Sequence, residues 1–241
     1  MQTRLFRSAP VRCVLALLLA VSASGCEVGV NKDVAIAAGE RSSGAAVING
    51  RIDVGPGAEV TGELSTVNGR VNVDRDAAVA GINTVNGPVT LGPGAGARSI
   101  NTVNGDVTLG ESARVEREIE LVNGDIRLGI GAEVGGDLGA VSGSIRLRDA
   151  RVGGDVTTVS ADVTLSGSSV IAGRLRVDRG GGMAGGVPRI IIGPGSLVEG
   201  VLEFEDDAEV YVSEDAEIGG VEGVLGEEDI VRFAGPEPTL Q

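Results

Sequence analysis

The residues with the most chemical potential in this chain are carboxylates near its end. Glu203, Glu205, Asp206, Asp207, Glu209, Glu214, Asp215 and Glu217 crowd a short stretch. Hard cations such as calcium want several carboxylate oxygens at once. No loop of defined ligand spacing frames residues 203–217, however, so they read as a solvated acidic face, with no metal and no cofactor expected. Two carboxylates can also hydrolyse a glycoside, but acidic pairs are too common here to single one out. The rest of the catalytic inventory is thin. The chain has no His and no Trp, and its two cysteines are Cys13 and Cys26. The usual nucleophile–base pairs therefore have no members. Phe6, Phe204, Tyr211 and Phe233 are all the aromatic residues, too few for a sugar-stacking groove. The expectation is a protein that is not an enzyme.

Cys26 has a different chemistry. Arg4, Arg7 and Arg12 precede the apolar run Val14–Val21. A basic segment followed by a short apolar one has the form of a signal peptide over residues 1–25, and the run is too short to span a bilayer comfortably. Ala23-Ser24-Gly25-Cys26 resembles the lipobox of bacterial lipoproteins, with Ala at position 23 where Leu is commonest. The resemblance implies cleavage before Cys26, acylation of Cys26, and anchoring of the mature chain in a membrane by several acyl chains, since one alone holds weakly. Residue 27 is Glu, not the Asp that retains such proteins at the inner membrane. The resemblance thus implies the outer membrane, with the body on the periplasmic face or the cell surface. Cys13 leaves with the signal segment, so the mature chain has no internal disulfide.

What positions the remaining residues is a repeat. Aligned on the Gly of Val-Asn-Gly, with Ile for Val in the first copy, the positions are Gly50, Gly69, Gly87, Gly105 and Gly124. Gly143 in Val-Ser-Gly and Ala161 in Val-Ser-Ala follow, and Lys32 is a degenerate copy before them. The spacing is 18 or 19 residues throughout, the mark of stacked structural units. Two and four residues after each of these positions come apolar pairs such as Val71/Val73, Val107/Leu109 and Ile145/Leu147, an inward–outward strand alternation. A second apolar site follows at Val60, Val79, Ala97, Val115, Val134, Val152 and Val170. A third lies at Leu64, Ile82, Ile100, Ile119, Leu138, Val156 and Leu175.

Two folds compete for this pattern. Asn-Gly between alternating apolar residues is a hairpin signal, and successive hairpins would build an antiparallel sandwich or barrel. A hairpin has no use for the third apolar segment. Three short strands per unit fit one turn of an all-β, single-stranded parallel β-helix, or solenoid. In that fold Asn68, Asn86, Asn104 and Asn123 stack at one corner, where Asn tolerates left-handed backbone, the Gly beside it accepts positive φ freely, and the Asn amide can bond the next amide along the stack. Ser142 and Ser160 take over the position. The expected layout is a lipidated Cys26 with a short tether over residues 26–30, then repeats over residues 31–220. These are broken by a flexible Gly-rich insertion at 179–189, and a cap and loose tail follow over residues 221–241. About ten rungs at about 4.8 Å each make a rod of about 45–50 Å.

The units Thr66-Val-Asn-Gly-Arg-Val-Asn-Val73 and Thr102-Val-Asn-Gly-Asp-Val-Thr-Leu109 resemble the adhesin-type β-helix domains of bacterial envelope proteins. They also resemble the bactofilins, polymer-forming β-helical scaffolds. The resemblance covers about residues 30–220 and brings no catalytic residues. It implies a non-enzymatic envelope rod serving as scaffold, spacer or adhesin-like binding surface. A self-assembling polymer and a polysaccharide-acting enzyme are the alternatives. Partners expected are the membrane through the lipid anchor, an envelope protein or glycan, and further copies of the chain. The formal charge is −14, and about −17 once Arg4, Arg7 and Arg12 are removed, so phosphate backbones are repelled and nucleic acid is not expected as a partner.

Overall fold

Bends recur too often in this sequence for a helix to propagate, and the apolar residues between them alternate with a period of two. Short strands result, and each can satisfy its backbone only against strands of neighbouring units. A computed structural model, which describes residues 27–180 and 186–238, shows that outcome. The strands are parallel and stack into a β-solenoid of about ten turns of about 19 residues, with one 3₁₀ turn, Glu227–Asp229, among the described residues.

Each turn has three sides. The first carries Ile52–Val54, Val71–Val73, Val89–Leu91 and Val107–Leu109, and continues through Arg189–Ile192, Glu209–Ser213 and Val231–Phe233. The second is a two-residue strand per turn, as in Arg114–Val115 and Glu133–Val134. The third holds residues such as 64–66, 82–84 and 100–102, and later Leu175–Val177 and Leu202–Phe204. Equivalent residues pair between turns: Ile100 with Ile82 and Ile119, Val107 with Val89 and Ile126. Like therefore stacks on like, and the sequence repeat is the ladder itself.

The inward positions are those the periodicity marks. Leu64, Ile82, Ile100, Ile119, Leu138, Val156 and Leu175 are fully buried on the third side. One position differs. Val170, expected inward, pairs outward with Arg151, and Ile171 fills the core opposite Val152. The corner leading to Val152 is one residue shorter than the corners on either side of it, so its apolar residue arrives one place early.

The first corner holds a second repeat that the Val-Asn-Gly alignment does not reveal. Gly57, Asp76, Gly94, Ser112, Gly131, Asp149, Gly167 and Gly195 all have φ between 48° and 73°. In six of these turns the next residue is a buried Ala: Ala58, Ala77, Ala95, Ala113, Ala132 or Ala150. Only a short side chain fits under so tight a left-handed bend.

At the far end, Val221–Gly223 pairs with 202–204 and Val231–Phe233 pairs with 211–213. Within residues 221–241, expected as a cap and loose tail, two strands thus extend the ladder. The segment between them lays Leu225 and Ile230 against the core.

Candidate functional site

The repeat builds a continuous corner from its Val, Asn and Gly. Asn49 donates its Nδ2–H to Asn31 Oδ1 at 2.7 Å, and Asn68, Asn86, Asn104 and Asn123 each repeat the bond to the Asn one turn before, at 2.9–3.0 Å. Ser142 Oγ closes the series on Asn123 Oδ1 at 3.0 Å. Ser160 leaves it and donates to the Val141 carbonyl. Of the two residues expected to accept left-handed backbone here, the Gly takes it at most turns. Asn31 has φ 54°, whereas the later ladder asparagines are not left-handed; Gly50, Gly87, Gly105 and Gly124 take φ of 141–150°. A Cβ on Gly69, Gly87, Gly105 or Gly143 would also be driven into the carbonyl oxygen of the glycine one turn before. The Asn supplies the side-chain ladder and the Gly supplies the bend.

The Val of the motif forms its own column outside the barrel. Val67, Val85, Val103, Val122, Val141 and Val159 are half-buried. Val30 and Ile48, in the same column, are 60% and 41% exposed. Directly behind them the inward positions of the third side carry Thr66, Thr84 and Thr102, stacked in register. These threonines are buried, and their hydroxyls make no hydrogen bond. Thr158, four turns on from Thr84, is satisfied by the Ala161 backbone, accepting its N–H at 2.8 Å and donating to its carbonyl at 3.0 Å.

Cys26 and residues 1–25, expected as a signal segment, lie outside the described residues. The described chain starts at the next residue. Glu27–Gly29, expected as part of a tether, is a strand paired in register with Ala45, Ala46 and Val47. The 18-residue spacing extends back to Glu27 even though the Val-Asn-Gly signature has decayed. No free stretch separates position 26 from the solenoid.

Four of the eight carboxylates of 203–217 are held by the turn before them. Glu203 meets Arg174 at 3.0 Å, Glu205 meets Arg176 at 2.5 Å, and Glu209 meets Arg189 at 3.0 Å. Asp206 accepts the Gly180 and Asp207 N–H groups, which hold its carboxyl below the usual range. Among the described residues, no three of Asp, Glu, Cys and His converge as a metal site. These Arg–acid pairs follow the turn spacing and were open to detection in the sequence by aligning charges as well as apolar residues. Of the 179–189 insertion, residues 181–185 lie outside the described residues. Its ends are tied down by Gly180 to Asp206 and by the Arg189 N–H to Asp162 at 2.8 Å.

Asp106, Glu120 and Asp178 also have shifted acidity. Arg127, bonded to Asp106 at 2.9 Å, lowers that carboxyl, and the Asp125 N–H adds to the effect. Burial raises Glu120, with Glu118 and Asp137 adding repulsion. Burial also raises Asp178, against the pull of Arg176 at 2.5 Å. The main charged partners of all three lie on the same turn or an adjacent one, so the shifts follow from the stacking of turns.

The charge is unevenly placed along the rod. From Glu199 to the end there are fourteen carboxylates against one arginine, Arg232. Residues 27–51, at the other end, carry three acidic and three basic side chains. No protein-family model, curated protein or solved structure matches this chain.

Proposed function

We propose that this chain is a non-enzymatic, lipid-anchored rod of the bacterial cell envelope. Cys26 carries the lipid in the outer membrane, and the body stands on its periplasmic face as scaffold, spacer or adhesin-like binding surface. The observation that carries the reading is the paired strand beginning at residue 27. An acylated Cys26 next to it would be joined to one end of a stiff solenoid, so the anchor would fix the rod's base and not merely tether it. The near-neutral base suits a membrane surface, and the acidic pole then lies about 45 Å away. That acidic pole argues against the bactofilin-like alternative of polymers joined through this end, because two such ends repel.

The test is metabolic labelling with a palmitate analogue in the full chain. The wild type should take up label and sediment with membranes, while Cys26→Ser should lose the label and leave the membrane fraction. Label retained in Cys26→Ser, or turnover of any envelope polysaccharide by the purified chain, would overturn the reading.

A further inference from the structure

On a protein this acidic, one surface is nearly free of charge. It consists of three adjacent columns on the third side and its corner. The Val column runs from Val30 through Ile48 and Val67 to Val159, and the Asn–Ser column from Asn31 to Ser160. The column on the other flank of the valines holds Ala46, Ser65, Asn83, Asn101, Glu120, Gly139 and Thr157. Glu120 is the one ionisable side chain among them. Eight turns at about 4.8 Å, and three columns at about 3.4 Å per residue along the strands, make a strip of about 400 Å². Its area, about 400 Å², is ordinary for a single chain; what sets the strip apart is a half-buried apolar column, nearly free of charge and repeated at every turn.

We propose that this strip is a seam along which two copies of the chain lie side by side and parallel. The proposal rests on the anchor reading, which plants every copy with residue 27 toward the same membrane and so makes all rods parallel. Two parallel rods related by a two-fold axis along their length place each turn against the same turn of the partner. Any charged column at that axis would repel itself turn after turn. The Val and Asn columns avoid this, and each ladder amide still has an N–H and an oxygen lone pair to offer across the axis. The periodicity also matches only another rod of the same pitch. Two such strips bury about 800 Å² together, less than the ~1,200–2,000 Å² of stable complexes. The pair is therefore weak when dilute and forms where a membrane concentrates the copies.

The test is disulfide crosslinking of the full chain in envelope membranes, with acylation of Cys26 read on the same samples. Val67→Cys and Val159→Cys lie in the column at the axis, where each residue meets its own copy, and Ala78→Cys lies on the second side, away from it. The unsubstituted chain sets the background from Cys13 and Cys26. Each seam variant should form dimers with its own kind at least about tenfold above Ala78→Cys. Adding Val103→Lys, in the same column, to Val67→Cys should remove most of that excess by setting like charges face to face. Crosslinking no greater than Ala78→Cys, a preference of Val67→Cys for Val159→Cys over itself, or indifference to Val103→Lys would each overturn the seam. Absence of acyl label would count against the anchor alone, since the crosslinks report pairing either way.

Discussion

Asn104 donates its amide N–H to Asn86 Oδ1 at 2.9 Å and accepts one from Asn123 at 3.0 Å, so one side chain joins three turns of the solenoid. The identity of the group matters more than its size. Asn104→Asp keeps the shape but has no N–H to offer Asn86, and it sets a charge in the ladder. Asn104→Ser keeps a donor, as Ser142 does toward Asn123. In urea unfolding, Asn104→Asp should cost about 1–2 kcal/mol and Asn104→Ser less than about 1 kcal/mol, since net hydrogen-bond contributions are of that order and the ladder is exposed. Equal costs would mean that the ladder does not hold the turns together.

The neighbouring glycine is constrained by backbone geometry. Gly105 has φ 147°, and a Cβ there would collide with the Gly87 carbonyl oxygen. Gly139, on the third side, faces open space. Gly105→Ala should destabilise by about 2–4 kcal/mol through strain and collision together, whereas Gly139→Ala should change stability by no more than about 0.5 kcal/mol. Thermal melts of the two variants side by side check this.

Much of this architecture is legible in the sequence because stacking forces like onto like. Ile100 sits between Ile82 and Ile119 for the same reason that the three are similar, so the apolar alignment is already the contact map. What escapes is whatever depends on which residue absorbs a one-residue change in corner length. Val170 and Ile171 are adjacent and equally apolar, and only the length of the preceding corner decides which one is buried. The left-handed residue of the first corner is Gly in some turns and Asp76, Ser112 or Asp149 in others; the constraint is conformational and leaves no single-letter trace. At the surface, the acidity of Glu203 is visible, but its pairing with Arg174 requires the turn spacing across an insertion. The half-buried valines are legible as a motif and silent as a surface, because nothing in Val-Asn-Gly says which side of the strand faces out.

The stacked hydroxyls of Thr66, Thr84 and Thr102 are buried without hydrogen-bond partners. An unsatisfied hydroxyl costs about 1–3 kcal/mol relative to an apolar group of the same shape. Thr84→Val should therefore raise stability by about 1 kcal/mol, and the triple Val variant should raise the melting temperature by several degrees, at about 2–4 °C per kcal/mol for a chain of this size. Thr158→Val is the contrast, because its hydroxyl is bonded on both sides by Ala161, and it should destabilise. A loss of stability in Thr84→Val would mean that these hydroxyls bind internal water, which high-resolution diffraction would then show.

Glu120 and Asp106 are displaced in opposite directions and should answer pH oppositely. Burial, with Glu118 and Asp137 nearby, raises Glu120, so the folded chain takes up this proton more readily than the unfolded one. Its charged form is a cost above the folded pKa, and that cost fades as pH falls toward the unfolded value. Glu120→Gln should therefore raise the melting temperature by about 1–2 °C at neutral pH, a small effect because the group is half exposed, with the gain vanishing below about pH 4. Asp106 is lowered by its bond to Arg127 and by the Asp125 N–H. Its contribution is complete above the unfolded pKa and is lost as pH falls through the lower folded one. Asp106→Asn should destabilise at neutral pH by less than about 1 kcal/mol, since the pair is well exposed, and should match the wild type in strong acid. Melting curves from pH 2 to 8 separate the two. A neutral-pH loss in Glu120→Gln, or an Asp106→Asn deficit that persists in strong acid, would show that packing and not ionisation governs these positions.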